Sequence, residues 1–486
     1  MFYSQRKDIG NGLIKFIYII IFFILLSFVV LRPLNHDETY YLISSKAMLL
    51  EGKTPYVDFI FHQMPLIIFA YMPVSVLGYW SLPAGRILSC LFLIASYFIL
   101  LKTFKSKFNG RQVFLFTILF WFNMFLIDWA VTVKIYSLSI LLISTGIYFY
   151  SRYLDKFSDW RHLFLSSLCF SMLVLTKIAF TANYLVLVIY TIYYFYSNKG
   201  DRKITYVIGS LLTPIIFCVI FFFILFGTNF ERLYFNLFEI NIIYKYLTSF
   251  SEDVLIYALF FILPQNFIIL FLMLFSLYNL DKVKIFLLLN IVAFLIINLT
   301  TRLLMEYNTS ILPLMIILAV FGFENFMHQL KKILRNVSSL KFAIVLLIIY
   351  CISSPFSIYH IKQFISSGKL PLNPVELYYF NKKIDSLKGE TVLSSWEGLS
   401  VFSSKRTLFK ENYAISYVSD FIDKETKAKY NLFIREDYRK LVDDHVADII
   451  IFDSANGAQL SGLDDNIRIN YKEAFEYNYI TVFIRK

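Results

Sequence analysis

The sequence predicts an all-α polytopic membrane protein of about eleven transmembrane helices, followed by a small α/β domain. Three observations carry that reading. First, 58% of the 486 residues are hydrophobic and the mean hydropathy is +0.63, well above a soluble globular domain. Second, apolar runs of about 15 to 23 residues recur from Leu13 to Phe356, long enough to cross a hydrocarbon core roughly 30 Å thick. Third, basic residues gather in the short loops between those runs. The alternating pattern of a membrane β-barrel is absent.

The runs, in order, are 13–31, 83–101, 113–128, 135–150, 162–178, 181–196, 204–226, 254–278, 285–299, 309–323 and 342–357. Lipid offers no hydrogen-bond partner, so each run must satisfy its backbone internally, as a helix. The first run follows Arg6, Lys7 and Lys15 like a signal peptide. It is long, however, and ends in "VVLRPLNHD" with no small-x-small cleavage site, so it reads as an uncleaved span. With the N-terminus inside, the cytoplasmic loops are "KTFKSKFNGR", "SRYLDKFSDWR", "SNKGDRK", "NLDKVK" and "HQLKKILRNVSSLK", all short and basic. The net charge of +12 therefore sets topology and does not signal a nucleic-acid partner. Cys90, Cys169, Cys218 and Cys351 each lie in an apolar run without metal spacing and read as core residues.

This orientation leaves two sizeable segments on the extracytoplasmic side, the loop 32–82 and everything from 358 to 486. In the second, "NPVELYYFNKKIDSL" and "IREDYRKLVDDH" read as helices, and "ETVLSS" and "ADIIIFD" as strands. "KEAFEYNYITVFIRK" reads as a closing hairpin. The chain thus divides into a membrane domain, 1–357, and a soluble α/β domain, 358–486.

The loop 32–82 opens with a polar burst, "NHDETYY". "DETYYLISSKAMLLEG" reads as a helix lying along the membrane surface, with Asp37 at its N-cap or first turn and Gly52 at its end. A capping role would keep Asp37 ionised, the state a general base also needs. "MPLIIFAYMPVSVLGYW" is Pro-broken and reads as interfacial or re-entrant.

An ordered set of motifs runs through this loop. An Asp-Glu pair directly after the first span is followed by Tyr, "LLEGKTPYVDF", H-x-x-P-L and "LPAGRIL" entering the second span. That set resembles the GT-C glycosyltransferases, in the branch of the protein O-mannosyltransferases, the lipid A aminoarabinose transferase and the rhizobial lipopolysaccharide-core transferases. "LTK" at Lys177, "RLLMEYNTSILP" and the C-terminal α/β domain agree more loosely. The likeness spans most of the chain and is sharpest over 35–86.

The resemblance implies an inverting transferase that moves a sugar from a polyprenyl-phosphate lipid to an extracytoplasmic acceptor: lipopolysaccharide, glycolipid, glycan or protein. Asp37 matches the family's base, with Glu38 beside it in support. The leaving lipid phosphate needs cations. Lys134, Lys177, Arg232, Lys245 and Arg302 lie on the matching side, with Tyr307 as a further phosphate contact. The plainer reading of Lys134 and Lys177 is snorkelling to the interface. Tyr40, Tyr56, Asp58, His62, Gln63 and Asp128 are the candidates for substrate contact. Several relatives carry a second Asp at the start of the fourth span, where this chain has Lys134, with Asp128 six residues earlier. No metal motif is present; Glu38, Asp58 and His62 are weak donors that leave a divalent cation open. The expected setting is the bacterial inner membrane, with membrane lipids around the chain and no nucleic acid.

Two other readings share the many spans. A transporter or flippase should show inverted half-repeats with broken helices, and no repeat is evident. An O-antigen polymerase or ligase would carry its large loop late in the membrane region, whereas here the largest inter-span loop is the first.

Overall fold

The computed structural model describes residues 2–155, 159–197, 204–227, 229–247, 264–300, 305–333, 345, 348–350, 372–394, 397–400, 402–408, 422–430, 435–453 and 463–486. Helices dominate up to residue 350. They begin with α1 (Phe2–Leu31), α2 (His36–Leu50), α3 (Leu66–Ser75), α4 (Ser81–Phe104), α5 (Gly110–Trp121) and α6 (Met124–Ala130). Then come α7 (Ile135–Asp155), α8 (Trp160–Val174), α9 (Thr181–Ser197) and α10 (Ile204–Phe226). A short α11 (Phe230–Tyr234), a π turn and α12 (Ile240–Leu247) precede the helices Pro264–Ser276, Lys282–Thr300 and Leu312–Ile333.

Among the described residues, four helices are long and apolar enough to cross a bilayer, or five if the bent pair α5–α6 is one span. Helices stand at ten of the expected runs; 254–263 and most of 342–357 lie outside the described residues.

The α5–α6 break, bent by 56°, is closed by side chains. Asn123 caps α6 by accepting from Leu126 N at 2.8 Å. Its amide donates to Tyr350 Oη at 2.9 Å and to Asn266 Oδ1 at 3.3 Å. Gln265 accepts from Met124 N at 3.0 Å and donates to Phe122 O at 2.8 Å. Irregular backbone at this depth survives because protein groups replace the absent water. The bend delivers Asp128 and the turn 131–134 beneath the first loop. That approach needs Gly85 on α4, where a Cβ would lie 2.7 Å from Val133 Cγ2. Gly322 serves a closer crossing, since a Cβ there would lie 1.9 Å from Leu272 O.

Asn35, not Asp37, is the N-cap of α2, in a capping box with Glu38; Asp37 sits in the first turn. Gly52 takes a left-handed φ of 65° just past the helix, as its place in "LLEGK" suggests. The helix does not lie with one side open. Tyr40, Tyr41, Leu42, Ile43, Ser44, Ser45 and Ala47 are all buried, and among the helix's described side chains only Leu49 and Leu50, at its far end, are fully exposed. The covering comes from α3, α4 and the turn Glu397–Leu399 of the C-terminal unit. α3 has ten residues, too short to span, and carries Pro73.

The C-terminal unit holds a five-stranded sheet in the order β2-β1-β3-β5-β4. β1 (Thr391–Ser394) pairs in parallel with β2 (Arg406–Thr407) and β3 (Ile449–Asp453). β5 (Ile480–Arg485) is antiparallel to β3 and forms the expected hairpin with β4 (Tyr471–Tyr477). The expected helices appear as Pro374–Asp385 and Arg435–Asp443. The unit sits on the end of the bundle that carries the first loop. Leu34 N donates to Leu372 O at 2.8 Å, Tyr79 bonds Asp385, and Phe235 stacks on Tyr430 at 4.0 Å.

Candidate active site

The polar burst after α1 separates into a buried layer and an open one. Glu38 belongs to the first and is fully buried. Its Oε1 accepts from Arg86 Nε at 2.9 Å and Val133 N at 3.1 Å. Its Oε2 accepts from Arg86 Nη2 at 2.7 Å and Asn35 N at 2.9 Å, with Arg32 Nη1 at 3.8 Å. Burial alone would raise this carboxyl, but the Arg86 and Arg32 guanidiniums outweigh it and hold it below the usual glutamate range. With both oxygens engaged, Glu38 has no face for substrate or metal. It fastens the start of α2 to α1, α4 and the 131–134 turn.

Asp128 lies in the same layer. Arg32 Nε donates to its Oδ1 at 2.8 Å, and the pair is shut off from solvent. Asp128 thus neutralises Arg32, where the sequence reading gave it a substrate contact. Arg86 and Arg32, the two cations that organise this layer, were not among the expected site residues. Arg86 stood within the "LPAGRIL" motif, yet an arginine at a span end reads first as a topology signal.

Asp37 belongs to the open layer. Its side chain is 44% exposed, and Oδ2 lies 2.7 Å from Lys134 Nζ. Lys134 is buried, with Nζ 4.9 Å from the Trp129 ring and 5.8 Å from Tyr136. Lys177 comes to the same place from the turn after α8. Its Nζ rests 2.7 Å from the Tyr307 ring centroid, is closed to solvent, and finds no hydrogen-bond partner among the described residues. Glu306 and Lys134 are the charges it feels. Tyr41 flanks the group. Its burial and the neighbouring Asp37 carboxylate hold its hydroxyl well above the ordinary tyrosine range, so it remains a donor. Two carboxylates, Asp37 and Glu306, two ammoniums and tyrosine side chains therefore converge at one end of the bundle. Glu306 is the member that the sequence reading missed.

The remaining expected residues build the wall beside this cluster. Tyr40 is buried, donates to Ile60 O at 3.0 Å and stacks on His62 at 5.4 Å. Tyr56 adopts a φ of 69° and donates to Gln63 O at 2.7 Å, which closes the 56–63 turn. Asp58 accepts from Thr54 N at 2.6 Å and is a turn former on the surface. Arg232 donates to Val57 O at 2.5 Å, Asn236 accepts from Phe61 N at 2.9 Å, and Asn241 donates to His62 O at 3.2 Å. The segment after α10 is thereby latched over the first loop. Arg232 spends its guanidinium on that latch rather than on the lysine cluster. Lys245 lies on α12, with its side chain outside the described residues, as are the side chain of His36 and all of Arg302.

Glu38, Asp58 and His62 are not brought together. Among the described residues no group of three or more His, Cys, Asp or Glu could hold a metal ion. The donor set considered for a divalent cation does not form, and no step is derived through one.

No family model and no curated protein matches the sequence. Solved structures do resemble it. The crystal structure of ArnT from Cupriavidus metallidurans bound to undecaprenyl phosphate superposes with a TM-score of 0.63 at 12% identity, over 97% of this chain and 98% of that one. The apo form of the same protein gives 0.61 at 10% identity, over 98% of each chain. The chain therefore shares the fold of ArnT over nearly its whole length.

Proposed function

We propose that this chain is an inverting glycosyltransferase that takes its sugar from a polyprenyl-phosphate donor and gives it to a hydroxyl acceptor on the extracytoplasmic side. The observation that carries the reading is the gathering of a half-exposed Asp37, a buried Lys134 and a half-buried Lys177 whose Nζ is closed to solvent and has no hydrogen-bond partner among the described residues. A buried ammonium without a hydrogen-bond acceptor is costly. A lipid phosphate between Lys134 and Lys177 would supply that acceptor at the boundary where such a lipid would lie. The undecaprenyl phosphate held by ArnT supports a ligand of this class.

In this mechanism the donor phosphate draws Lys134 away from Asp37. The freed carboxylate accepts the proton of the acceptor hydroxyl as its oxygen attacks the anomeric carbon. The bond from that carbon to the phosphate oxygen breaks, and the polyprenyl phosphate leaves with its negative charge met by Lys134 and Lys177. Attack opposite the leaving group inverts the centre, and no sugar–enzyme bond forms. Tyr40, Tyr56, His62 and Gln63 shape the wall beside the sugar, and Glu38 and Asp128 position Asp37 through Arg86 and Arg32. The C-terminal unit, assigned to residues 358–486, roofs the same end of the bundle and is where an acceptor would first dock.

The test is transfer in liposomes from radiolabelled polyprenyl-phosphate sugars, assayed with the parent and Asp37→Asn. Transfer by the parent that vanishes in a folded Asp37→Asn supports the reading. Equal transfer by both overturns the base assignment. Failure of the parent to consume any such donor overturns the donor class.

A further inference from the structure

The opposite ends of α4 and α7 form a second concave site, remote from the first. From Arg86 to Lys102 along α4, and from Lys134 to Arg152 along α7, the rise is roughly 25 Å. There a cavity of about 440 Å³ opens between the two helix ends. Three cations line it: Lys102 in the last turn of α4, Lys105 just past it, and Arg152 in the last turn of α7. Hydroxyls of Thr103, Ser106 and Ser151 stand between them. Among the described residues Asp155 is the one carboxylate of the lining, against the three cations.

Isolated basic residues at helix ends need no ligand, because they complement the helix dipole and set topology. Here they converge instead of dispersing. Lys102 Nζ and Arg152 Cζ sit 5.4 Å and 5.5 Å from the same Tyr148 ring, which holds both cations at the cavity. The apolar surface next to it indicates the ligand's other half. Ile87, Leu91 and Phe98 are each about half exposed. With Lys102 they follow one face of α4, at spacings of four, seven and four residues. That stripe runs along most of α4 and ends at the cavity mouth, and its Phe98 end is the path an acyl chain would take below its headgroup.

We propose that this cavity binds the phosphate-ester headgroup of an anionic membrane lipid, from the leaflet opposite the candidate active site. Phosphate is the shared chemistry of a lipid headgroup and a free anion, and the apolar stripe favours the lipid. The experiment is native mass spectrometry of the full chain in detergent, titrated separately with phosphatidylglycerol, phosphatidylcholine and inorganic phosphate. One tight phosphatidylglycerol equivalent is expected, absent with phosphatidylcholine and not displaced by inorganic phosphate. Lys102→Gln with Arg152→Gln should weaken it roughly thirtyfold, from about fivefold per cation at a membrane surface. Lys102→Arg with Arg152→Lys keeps the charge and should retain it. Should the double glutamine variant fail to fold, Lys105→Gln alone should weaken binding about fivefold. Unchanged binding in the folded glutamine variants, equal binding of the two lipids, or displacement by inorganic phosphate would each overturn the proposal. Asp37 and Lys177 are untouched in all of these variants, so the outcome is independent of the transferase reading.

Discussion

Glu38→Gln is the sharpest structural test of the buried layer. The carboxylate receives four hydrogen bonds, two on each oxygen, all between 2.7 and 3.1 Å. Glutamine keeps one carbonyl oxygen and turns an amide N–H toward the other two donors. Whichever way the amide is placed, one Arg86 nitrogen and one backbone N–H lose their acceptor. Each unsatisfied buried donor costs about 1–3 kcal/mol, and breaking a buried ion pair from one side costs about 3–5 kcal/mol in all. Arg32 keeps Asp128, so the uncompensated charge is that of Arg86 alone. The expected loss is about 4 kcal/mol. It would be read from reversible unfolding in mixed detergent micelles, with Arg86→Met and the double variant completing the cycle. The double variant should recover about 2–3 kcal/mol of the summed single losses, since removing both partners leaves no orphan. Acidity adds a second readout. The Glu38 carboxyl is depressed in the folded state, so its stabilisation is present above the ordinary glutamate pKa of about 4.3 and lost as pH falls through the lower folded value. The penalty of Glu38→Gln should therefore be flat from about pH 5 to 8 and shrink only in stronger acid. A loss under about 1 kcal/mol, or additive single effects, would refute the network as described.

Three other expectations concern the open layer and the packing. Asp37→Asn should lower transfer by about two to four orders of magnitude while unfolding stays within about 1 kcal/mol of the parent; a large stability loss would instead make Asp37 a structural anchor. Lys177→Met should weaken donor use, seen as a raised KM, and yet raise stability by about 1–3 kcal/mol, because it replaces an ammonium closed to solvent and lacking a hydrogen-bond acceptor among the described residues with an apolar chain of similar length. A stability loss in that variant would mean the ammonium is already neutralised within the fold. Gly322→Ala should cost more than about 2 kcal/mol or lower the folded yield, since its methyl would fall 1.9 Å from Leu272 O; a neutral result would show that the two helices separate easily.

The parts of this fold legible in the sequence were those governed by solvent. Apolar run length placed α1 and the helices from α4 to α10, cap and stop residues placed α2, and alternation placed the β4–β5 hairpin. Both depend on local composition against water or lipid. The site was legible to the extent that its residues sit on one short stretch: Asp37 is half-exposed beside Lys134, and Lys177 reaches the same end of the bundle. What stayed hidden were long-range choices between similar groups. Asp37 and Glu38 are adjacent acids, yet a helical turn sends one toward Lys134 and the other into Arg86. Asn35 takes the cap because Glu38 can reach back to its backbone. Arg32 and Arg86 look like boundary charges until the partners Asp128 and Glu38 arrive from elsewhere in the chain. His62, chemically conspicuous, rests on the Tyr40 ring in the wall of the site.

The bend between α5 and α6 also constrains how the protein is made. Its open backbone groups are met by Gln265, and its cap Asn123 by Asn266 and Tyr350, partners that lie 141 to 227 residues later in the chain. A nascent chain emerging into the bilayer carries the bend long before those residues are synthesised. Until then Phe122 O and Met124 N must be served by water or by an insertion factor. The 131–134 turn has earlier partners in Glu38, Tyr71 and Ser89, so it is the bend and not the turn that waits for the late helices. A product truncated before Gln265 would leave Phe122 O and Met124 N without that partner.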